Sequence, residues 1–410
     1  MKSGEEKMLK RITVKKRIAL TFLIFTAFFT LFRSSMSGIF SLFYANNHIS
    51  TASISSIKSF QSIGIMFGLL PAGYLSDKIG RLKILNLSAM VISFSFLLLI
   101  LFRSFVSFSI SELLYGIGLA LNSGTLLSYI TDLQEQNNIS PDSRLMGKQV
   151  IILNLTTLIG GNIGTYLFNV DNTMPIWFAL VGLATYPAFT YILIKYFGFT
   201  DNKSINSNTT LFDHIKVLKL FFQKKKFWIL LLLNVGYDCG TQFLLIYWSI
   251  IYVDQLHFDL SIVYTLFMLS LILGSIVFNK LVSVLNTNSL VIISTFFMIG
   301  LLILSTLLTN RYSLLVLFLL IELVMGIMSG QISSASNMAI YGENNKSLML
   351  SSVSFITEVI VSLSLFLNDS IIKLIGNLKG MYIISALYFA IILLAIPLLK
   401  KIENNSGIYD

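Results

Sequence analysis

The sequence predicts an all-α polytopic membrane protein with 12 transmembrane helices, arranged as two pseudo-symmetric six-helix bundles with cytoplasmic N- and C-termini. Composition gives the first reason, because 55% of the 410 residues are hydrophobic, only 12% are charged and the mean hydropathy is +0.81. Average soluble domains carry roughly 25% charged residues. The chain therefore has too few charges to cover a water-exposed surface, which excludes a soluble enzyme. Its high apolar content also excludes a disordered chain.

The apolar segments give the second reason, because twelve of them are long enough for the roughly 20 residues that a spanning helix needs. The predicted spans are 18–46, 54–76, 83–102, 106–130, 149–169, 175–197, 227–252, 260–279, 288–308, 312–340, 348–370 and 380–399. They define a tail (1–17), an N-terminal bundle (18–197), a linker (198–226), a C-terminal bundle (227–399) and a second tail (400–410). Within the linker, helical spacing of apolar residues predicts an amphipathic helix over 211–222 that lies on the membrane surface.

The distribution of basic residues predicts the orientation. With the N-terminus inside, 23 of the 29 lysines and arginines lie on the cytoplasmic side. The opposite loops hold only Lys58, Arg103, Arg311, Lys373 and Lys379. Cytoplasmic loops carry an excess of basic residues, so we expect both tails and the linker in the cytoplasm. Low alanine with abundant isoleucine, asparagine, lysine and serine suggests an AT-rich bacterial genome, and hence a multi-pass protein of the bacterial cell membrane.

The same composition limits the classes of molecule that the protein can bind. The net charge of +10 is spread over short loops, so it does not form the single basic face by which proteins bind nucleic acid. One cysteine, Cys239, and three histidines that are far apart in sequence exclude an internal disulfide and a histidine or thiolate metal site. The expected partners are a small-molecule substrate, protons and the lipid bilayer, with no cofactor and the chain acting as a monomer.

The two sets of six spans also resemble each other. Glu112-Leu-Leu-Tyr-Gly116-Ile117 in span 4 recurs as Glu322-Leu-Val-Met-Gly326-Ile327 in span 10, an offset of 210 residues. At the same offset, the basic run before span 1 recurs before span 7. Two matches at one offset predict a duplicated six-helix unit. Secondary transporters often have this plan, with the substrate site between the repeats near the middle of the membrane.

The loop between spans 2 and 3 reads Gly73-Tyr-Leu-Ser-Asp77-Lys78-Ile-Gly80-Arg81-Leu-Lys83. It resembles the signature loop of the major facilitator superfamily, G-x-L-a-D-r-x-G-r-[RK]. We expect Gly80 to form a tight turn and Gly73 to allow close approach of a neighbouring helix. Asp77 would accept a charge-assisted hydrogen bond while the cytoplasmic side is closed, so that the loop acts as a conformational switch. The alternative is a basic turn that only sets topology.

The resemblance implies the superfamily fold, in which helices 1, 4, 7 and 10 line a central cavity and transport proceeds by alternating access. Drug exporters of the superfamily carry an arginine in span 4 where this chain has Glu112, four residues before Gly116. However, Ser123-Gly124-Thr125 and the later Asp132 resemble a pattern found in several bacterial drug exporters. We therefore expect a bacterial multidrug/proton-antiporter-like member.

Ionisable residues inside the predicted spans are the candidate substrate and proton-coupling groups. They are Arg33, Glu112, Asp238, Glu322 and Glu358. Each costs roughly 2.5–3.5 kcal/mol or more at the bilayer centre, so each must face a cavity, form a pair or be protonated. Arg33 and Glu112 are close enough in predicted depth to meet. The other three acids have no second intramembrane cation, which makes them candidate proton carriers. Alternatively, they are permanently neutral acids.

Polar and aromatic residues extend this candidate site along span 7. Asn234, Asp238 and Gln242 recur at a spacing of four residues and therefore share one helix face. Tyr237, Tyr247 and Trp248 lie nearby and offer stacking surface for an apolar or cationic ligand. Ser354, Glu358 and Ser362 form a similar stripe on span 11.

Two transport functions follow from these residues. The excess of acids favours proton-coupled export of small amphipathic or cationic compounds. Arg33, which is placed to hold an anionic group, favours proton-coupled import of a sugar, peptide or other metabolite. A non-transporting scaffold or receptor would not need charges in the middle of the membrane. An enzyme is not expected, because no metal cluster, nucleophilic triad or phosphate loop is present at usable spacing. Sodium instead of protons stays an open alternative.

Overall fold

The computed structural model describes residues 2–139, 143–199, 222–282, 284–285, 287–340, 346–375 and 377–397. Throughout this part of the chain, every regular element is helical and no strand is found. The amphipathic helix expected over 211–222 lies outside the described residues except for Phe222, and the tail 400–410 lies outside them entirely.

The helices follow the predicted spans closely. The first half contains α1 (Lys2–Ser34), α2 (Phe40–Asn46), α3 (Thr51–Ile79), α4 (Arg81–Leu101), α5 (Phe105–Asn122), α6 (Thr125–Gln136), α7 (Ser143–Val170) and α8 (Met174–Phe197). The second half contains α9 (Lys225–Ser249) with a π-helical end (Ile250–Gln255), α10 (Leu260–Leu281), α11 (Thr287–Leu307), α12 (Arg311–Ile340), α13 (Lys346–Ile375), α14 (Met381–Ala390) and 3₁₀ turns at Leu378–Gly380 and Ile391–Ala395.

Among the described residues, eleven helical segments are long and apolar enough to cross a membrane. The remaining predicted span coincides with α3. Serines, Lys58 and Gln61 in the first half of α3 make this helix less apolar than the eleven spanning segments. The length and composition of the helices therefore agree with a multi-span membrane protein.

Two predicted spans are broken into shorter helices. Span 1 consists of α1 and α2, which are separated by a turn over residues 35–39. Span 4 consists of α5 and α6, which are separated at Gly124, where φ is +74°. A positive φ is readily adopted by glycine and strained for other residues, so Gly124 permits this break inside an apolar run.

The chain divides into two compact units: Met1–Ile39 with Gly64–Thr209, and Phe40–Ile63 with Thr210–Asp410. The second unit thus includes α2 and the first half of α3, which the sequence places in the N-terminal bundle. Contacts within the second unit account for this assignment. The Tyr247 hydroxyl donates a hydrogen bond to the backbone oxygen of Thr51 at 3.0 Å, and the rings of Phe60 and Phe366 meet edge to face at 5.8 Å.

In the first unit, α4 packs on α5 and α8, while α1 packs on α7 and α8. Small residues bring these helices together. The Ser88 hydroxyl of α4 donates to the Gly118 carbonyl of α5 at 2.6 Å, and a Cβ added at Gly118 would collide with Ile92. The buried rings of Phe25 and Tyr186 meet edge to face at 5.9 Å and fill the space between α1 and α8. This close packing fixes the positions of α1 and α5, which carry candidate site residues.

In the second unit, α9 packs on α13 and α14, and α12 packs on α10 and α11. Buried rings form much of this core, including Phe267 and Phe318 with centroids 4.4 Å apart. Polar side chains also link the helices: the Gln331 side-chain oxygen of α12 accepts a bond of 2.9 Å from Ser294 of α11. The candidate acids on α9, α12 and α13 therefore project from mutually packed helices.

The predicted repeat is visible in the packing of each unit. A Cβ added at Gly64 in α3 would collide with the Leu113 carbonyl of α5, and one added at Gly274 in α10 would collide with the Leu323 carbonyl of α12. Both members of the second pair lie 210 residues after those of the first. The backbones of spans 2 and 4 thus approach each other as closely as those of spans 8 and 10, which supports the duplicated unit.

Candidate functional site

The signature loop joins α3 to α4 through Gly80, whose φ of +114° favours glycine and gives the tight turn that the sequence predicts. The next residue, Arg81, forms an ion pair with Asp132 of α6, with Nε and Oδ2 2.5 Å apart. Both side chains are about one-fifth exposed. This pair anchors the start of α4 to the second part of span 4. The exporter-like Asp132 is therefore a direct partner of the loop.

The other residues of the loop differ in their surroundings. The expected close approach at Gly73 is not found, because a Cβ there would meet no atom of the described residues within 4 Å. Gly73 is exposed on α3 rather than facing a neighbouring helix. Lys83 is also exposed. The side chain of Asp77 lies outside the described part of the structure, so its expected hydrogen bond stays a prediction.

Arg33 and Glu112 both lie in the first unit, on α1 and α5. The guanidinium Nη1 of Arg33 donates a hydrogen bond to the Tyr115 hydroxyl at 3.2 Å. Tyr115 follows Glu112 by three residues and therefore lies on the same side of α5. Glu112 itself is only 1% exposed. The structure thus brings Arg33 to the face of α5 that carries Glu112 and adds Tyr115, which was not among the residues predicted from the sequence.

Two of the acids in the second unit lie on adjacent helices and within electrostatic reach of each other. Asp238 of α9 and Glu358 of α13 are close enough to interact electrostatically. The hydroxyl of Ser62 in α3 also lies near the Glu358 carboxylate and interacts favourably with its charged form. The site therefore contains two acids on two adjacent helices and a hydroxyl from a third helix.

Glu322 of α12 is the most enclosed of the three acids in this unit, with 5% of its surface exposed. Its carboxylate lies within electrostatic reach of the Tyr237 ring. Tyr237 is held by its hydroxyl, which donates to the Met325 carbonyl at 3.2 Å. Within the described residues, no hydrogen-bond donor or cation contacts the Glu322 carboxylate. This acid is therefore available to bind a proton or a ligand.

The predicted polar face of α9 is only partly available for binding. Gln242 is half-buried one turn after Asp238. Asn234 instead turns back onto its own helix, where its amide nitrogen donates to the Leu230 carbonyl at 2.7 Å. Gln242 and Asp238 are thus the members of the face whose side chains stay open to a ligand.

The prediction that Tyr247 and Trp248 offer stacking surface to a ligand is wrong. Tyr247 is fully buried and hydrogen-bonded to Thr51. Trp248 is also buried and meets the Phe267 ring edge to face at 5.2 Å. Both residues serve core packing because they lie on the faces of α9 that contact neighbouring helices. Tyr237 lies within electrostatic reach of Glu322, one of the candidate acids.

Lys58 was not predicted as a site residue, because it was counted among the loop lysines although the predicted span 54–76 includes it. It lies two turns inside α3, with its Nζ 3.8 Å from the centroid of the Phe40 ring and 3.3 Å from Oε1 of Gln61. The spacing of four residues between Lys58 and Ser62 places both on one helix face, and this spacing was the available signal. The second unit therefore contains a helix-borne cation in addition to its acids.

The fold and these residues define a class of protein. Helices of spanning length form two compact units with equivalent internal packing, and each unit carries ionisable side chains within its spans. This is the organisation of a membrane transporter. A family model described as Major Facilitator Superfamily matches residues 22–356. Because the match covers most of the sequence, the chain belongs to the major facilitator superfamily.

Solved structures of other transporters have the same fold as this chain. The chain is similar to the nucleoside transporter NupG, with 12% identity and a TM-score of 0.69 over 93% of this chain and 99% of that one. A point mutant of NupG gives 11% identity and a TM-score of 0.71 with the same coverage. A bacterial homolog of the human lysosomal transporter Spinster gives 14% identity and a TM-score of 0.64 over 94% and 96% of the two chains. None of the curated proteins compared with the chain matches it significantly.

Proposed function

We propose that the chain is a secondary active transporter that exports small amphipathic or cationic compounds in exchange for protons. The observation that carries this proposal is the arrangement of acids in the second unit. Asp238 and Glu358 lie within electrostatic reach of each other, and Glu322 is enclosed without a hydrogen-bond donor among the described residues. The proton gradient is the energy source in this account.

The acids favour a positively charged occupant. Carboxylates in a low-dielectric site are stabilised when a proton or a cationic ligand neutralises them. Asp238 and Glu358 can therefore bind either a proton or a cationic cargo. Once one of these has neutralised the carboxylates, binding of the other is less favourable. Such competition is the basis of exchange, because binding of cargo from one side releases protons that entered from the other.

In this proposal the signature loop controls which side is open. The Arg81–Asp132 ion pair joins two helices of the first unit, and a charge-assisted bond of this kind is strong enough to bias a conformational equilibrium. Asp77 would complete the latch on the closed cytoplasmic side. The pair and the loop therefore act on access rather than on binding of the cargo.

Proton-coupled uptake of a polar metabolite is the second candidate. Arg33, which is half-buried and bonded to Tyr115, can hold an anionic or strongly polar group of a solute. NupG, which is described as a nucleoside transporter, has the same fold. In such uptake, Arg33 would hold the polar group of the solute, and the acids of the second unit would bind the proton.

Transport in inverted membrane vesicles tests the first proposal. With an acidic interior, the vesicles are expected to accumulate a cationic amphipathic dye such as ethidium and to lose it when a protonophore is added. Asp238→Asn, Glu322→Gln and Glu358→Gln should each lower the accumulation rate by about tenfold or more. Each change removes the exchangeable proton while keeping the shape of the side chain.

Asp369→Asn is the matched control. Asp369 lies on α13, as Glu358 does, but it already forms an ion pair with Lys373 at 3.0 Å. This variant should transport within about twofold of the unmodified protein. Unchanged dye transport in all three acid variants would contradict the assigned roles. Uptake of an unlabelled anionic or nucleoside-like solute by right-side-out vesicles, without dye export, would favour the second candidate.

A further inference from the structure

A cavity of about 540 Å³ opens in the first unit between the start of α1, the end of α6 and the start of α7. Its volume falls within the roughly 300–1,000 Å³ of small-molecule sites. Three lysines and the Gln134 amide supply its polar lining, and its walls are mainly aliphatic. The cavity is separate from the ionisable residues discussed above. The lining residues include Lys15, Lys16, Lys148, Gln134, Ile18 and Leu23.

The polar groups of the cavity favour an anionic ligand. Lys16 and Lys148 are exposed at its rim, and neither forms an ion pair among the described residues. Gln134 is only 4% exposed, yet its side chain makes no hydrogen bond within the described part of the chain. Buried polar side chains normally have a partner, so this amide, which lines the cavity, is available to a bound ligand.

The position of the cavity in the membrane indicates that its ligand also has an apolar part. The apolar span of α1 begins at Val14 and that of α7 begins at Leu145, so Lys16 and Lys148 lie in the first turn of their spans. Residues at the ends of spans lie at the level of the lipid headgroups. Ile18 and Leu23 extend the wall of the cavity from this level toward the middle of the span, where acyl chains lie.

We propose that this cavity binds an anionic phospholipid. The phosphate and the negatively charged part of the headgroup contact the lysines, Gln134 donates a hydrogen bond to a headgroup or glycerol oxygen, and the upper part of an acyl chain lies against Ile18 and Leu23. Basic pockets between transmembrane helices bind anionic headgroups in this way. The aliphatic walls favour a lipid over a free phosphate, which has no apolar part. This site is independent of the proposed cargo and coupling ion.

Native mass spectrometry of the detergent-solubilised full chain tests the proposal. Phosphatidylglycerol should bind about tenfold more tightly than phosphatidylcholine with the same acyl chains, because only the former carries a net negative charge. The double variant Lys16→Ala/Lys148→Ala should lose about tenfold in affinity for phosphatidylglycerol. Gln134→Leu should lose affinity for both lipids, since both have headgroup and glycerol oxygens that accept a hydrogen bond.

Lys195→Ala is the matched control, because Lys195 is an exposed lysine in the last turn of α8, an end of a span in the same unit, and does not line the cavity. Its affinity for phosphatidylglycerol should change by less than about twofold. Equal losses in Lys195→Ala and in the double variant would overturn the proposal, as would displacement of phosphatidylglycerol by inorganic phosphate at millimolar concentration.

A second measurement needs no variant. Phosphatidylglycerol should raise the unfolding temperature of the purified chain more than phosphatidylcholine does, and high salt should remove this difference. Equal stabilisation by the two lipids at low salt would contradict an anion-selective site even if the lysine variants failed to fold.

Discussion

Gly80 is the residue of the signature loop whose backbone conformation requires glycine. Its φ of +114° lies in a region that side chains with a Cβ rarely adopt. Gly73, in the same motif, lies within α3, and a Cβ there would meet no described atom within 4 Å. The two glycines of the motif therefore have different physical roles, although the sequence pattern treats them alike.

We predict that Gly80→Ala lowers the stability of the purified protein by about 1–3 kcal/mol, because alanine is strained at this φ. Gly73→Ala should leave stability unchanged or raise it by about 0.5–1 kcal/mol, because alanine is favoured over glycine in a helix. Thermal unfolding of both variants in the same detergent measures the difference. Equal destabilisation by the two substitutions would contradict the prediction that the backbone conformation at Gly80 is strained for alanine.

Individual side chains also show what the sequence could not reveal. Glu322 and Asp238 were selected because acids are rare in apolar runs, and both lie in packed helices of the second unit. Tyr247 was selected for its proximity in sequence, but its side chain is part of the core. The direction of a side chain depends on which neighbouring helix covers its face, and periodicity within a single helix does not determine this.

At the scale of helices, close contacts depend on glycines that allow two backbones to approach each other. Gly274 of α10 lies against the Leu323 carbonyl of α12, as Gly64 of α3 lies against the Leu113 carbonyl of α5. Small residues at helix interfaces are typical of membrane proteins, where van der Waals packing drives helix association. These contacts position α5 and α12, which carry Glu112 and Glu322.

We predict that Gly274→Ala and Gly64→Ala each destabilise the protein by about 1–3 kcal/mol, because the added methyl group forces the helices apart. Gly300→Ala on α11 is the matched control, since a Cβ there would meet no described atom within 4 Å. Chemical unfolding in mixed micelles provides the comparison. If Gly300→Ala destabilised the protein as much as Gly274→Ala, the contact of Gly274 with the Leu323 carbonyl would not account for the loss of stability.

The helices themselves could be predicted with good accuracy, because hydropathy directly reports spanning length. For example, the predicted span 175–197 corresponds to α8 over Met174–Phe197. The breaks within spans 1 and 4 could not be predicted in the same way. Gly124 lies in an apolar run, and only its backbone conformation shows that the helix ends there.

At the scale of the whole molecule, the sequence predicted two similar six-helix halves, and the equivalent contacts of Gly64 and Gly274 support this duplication. The division into compact units differs in one respect, because Phe40–Ile63 belongs with the second half of the chain. Hydropathy could not predict this assignment, since it depends on side-chain contacts such as that between Phe60 and Phe366.

This assignment has a functional consequence. Ser62 comes from the first half of the sequence, but its hydroxyl lies near the Glu358 carboxylate of α13 and interacts favourably with its charged form. The acid site of the second unit is therefore built from both halves of the chain. A change in the position of the first part of α3 would alter the surroundings of Glu358 directly.

The central claim is that cargo and protons compete for the acids of the second unit, and proton release by the purified protein tests it most directly. In weakly buffered detergent solution with a pH indicator, addition of a transported cationic compound should release about one proton per protein molecule. Release should fall strongly in at least one of Asp238→Asn, Glu322→Gln and Glu358→Gln, and it should persist in Asp369→Asn. Binding of the compound without any proton release, or release that is unchanged in all three acid variants, would contradict the account.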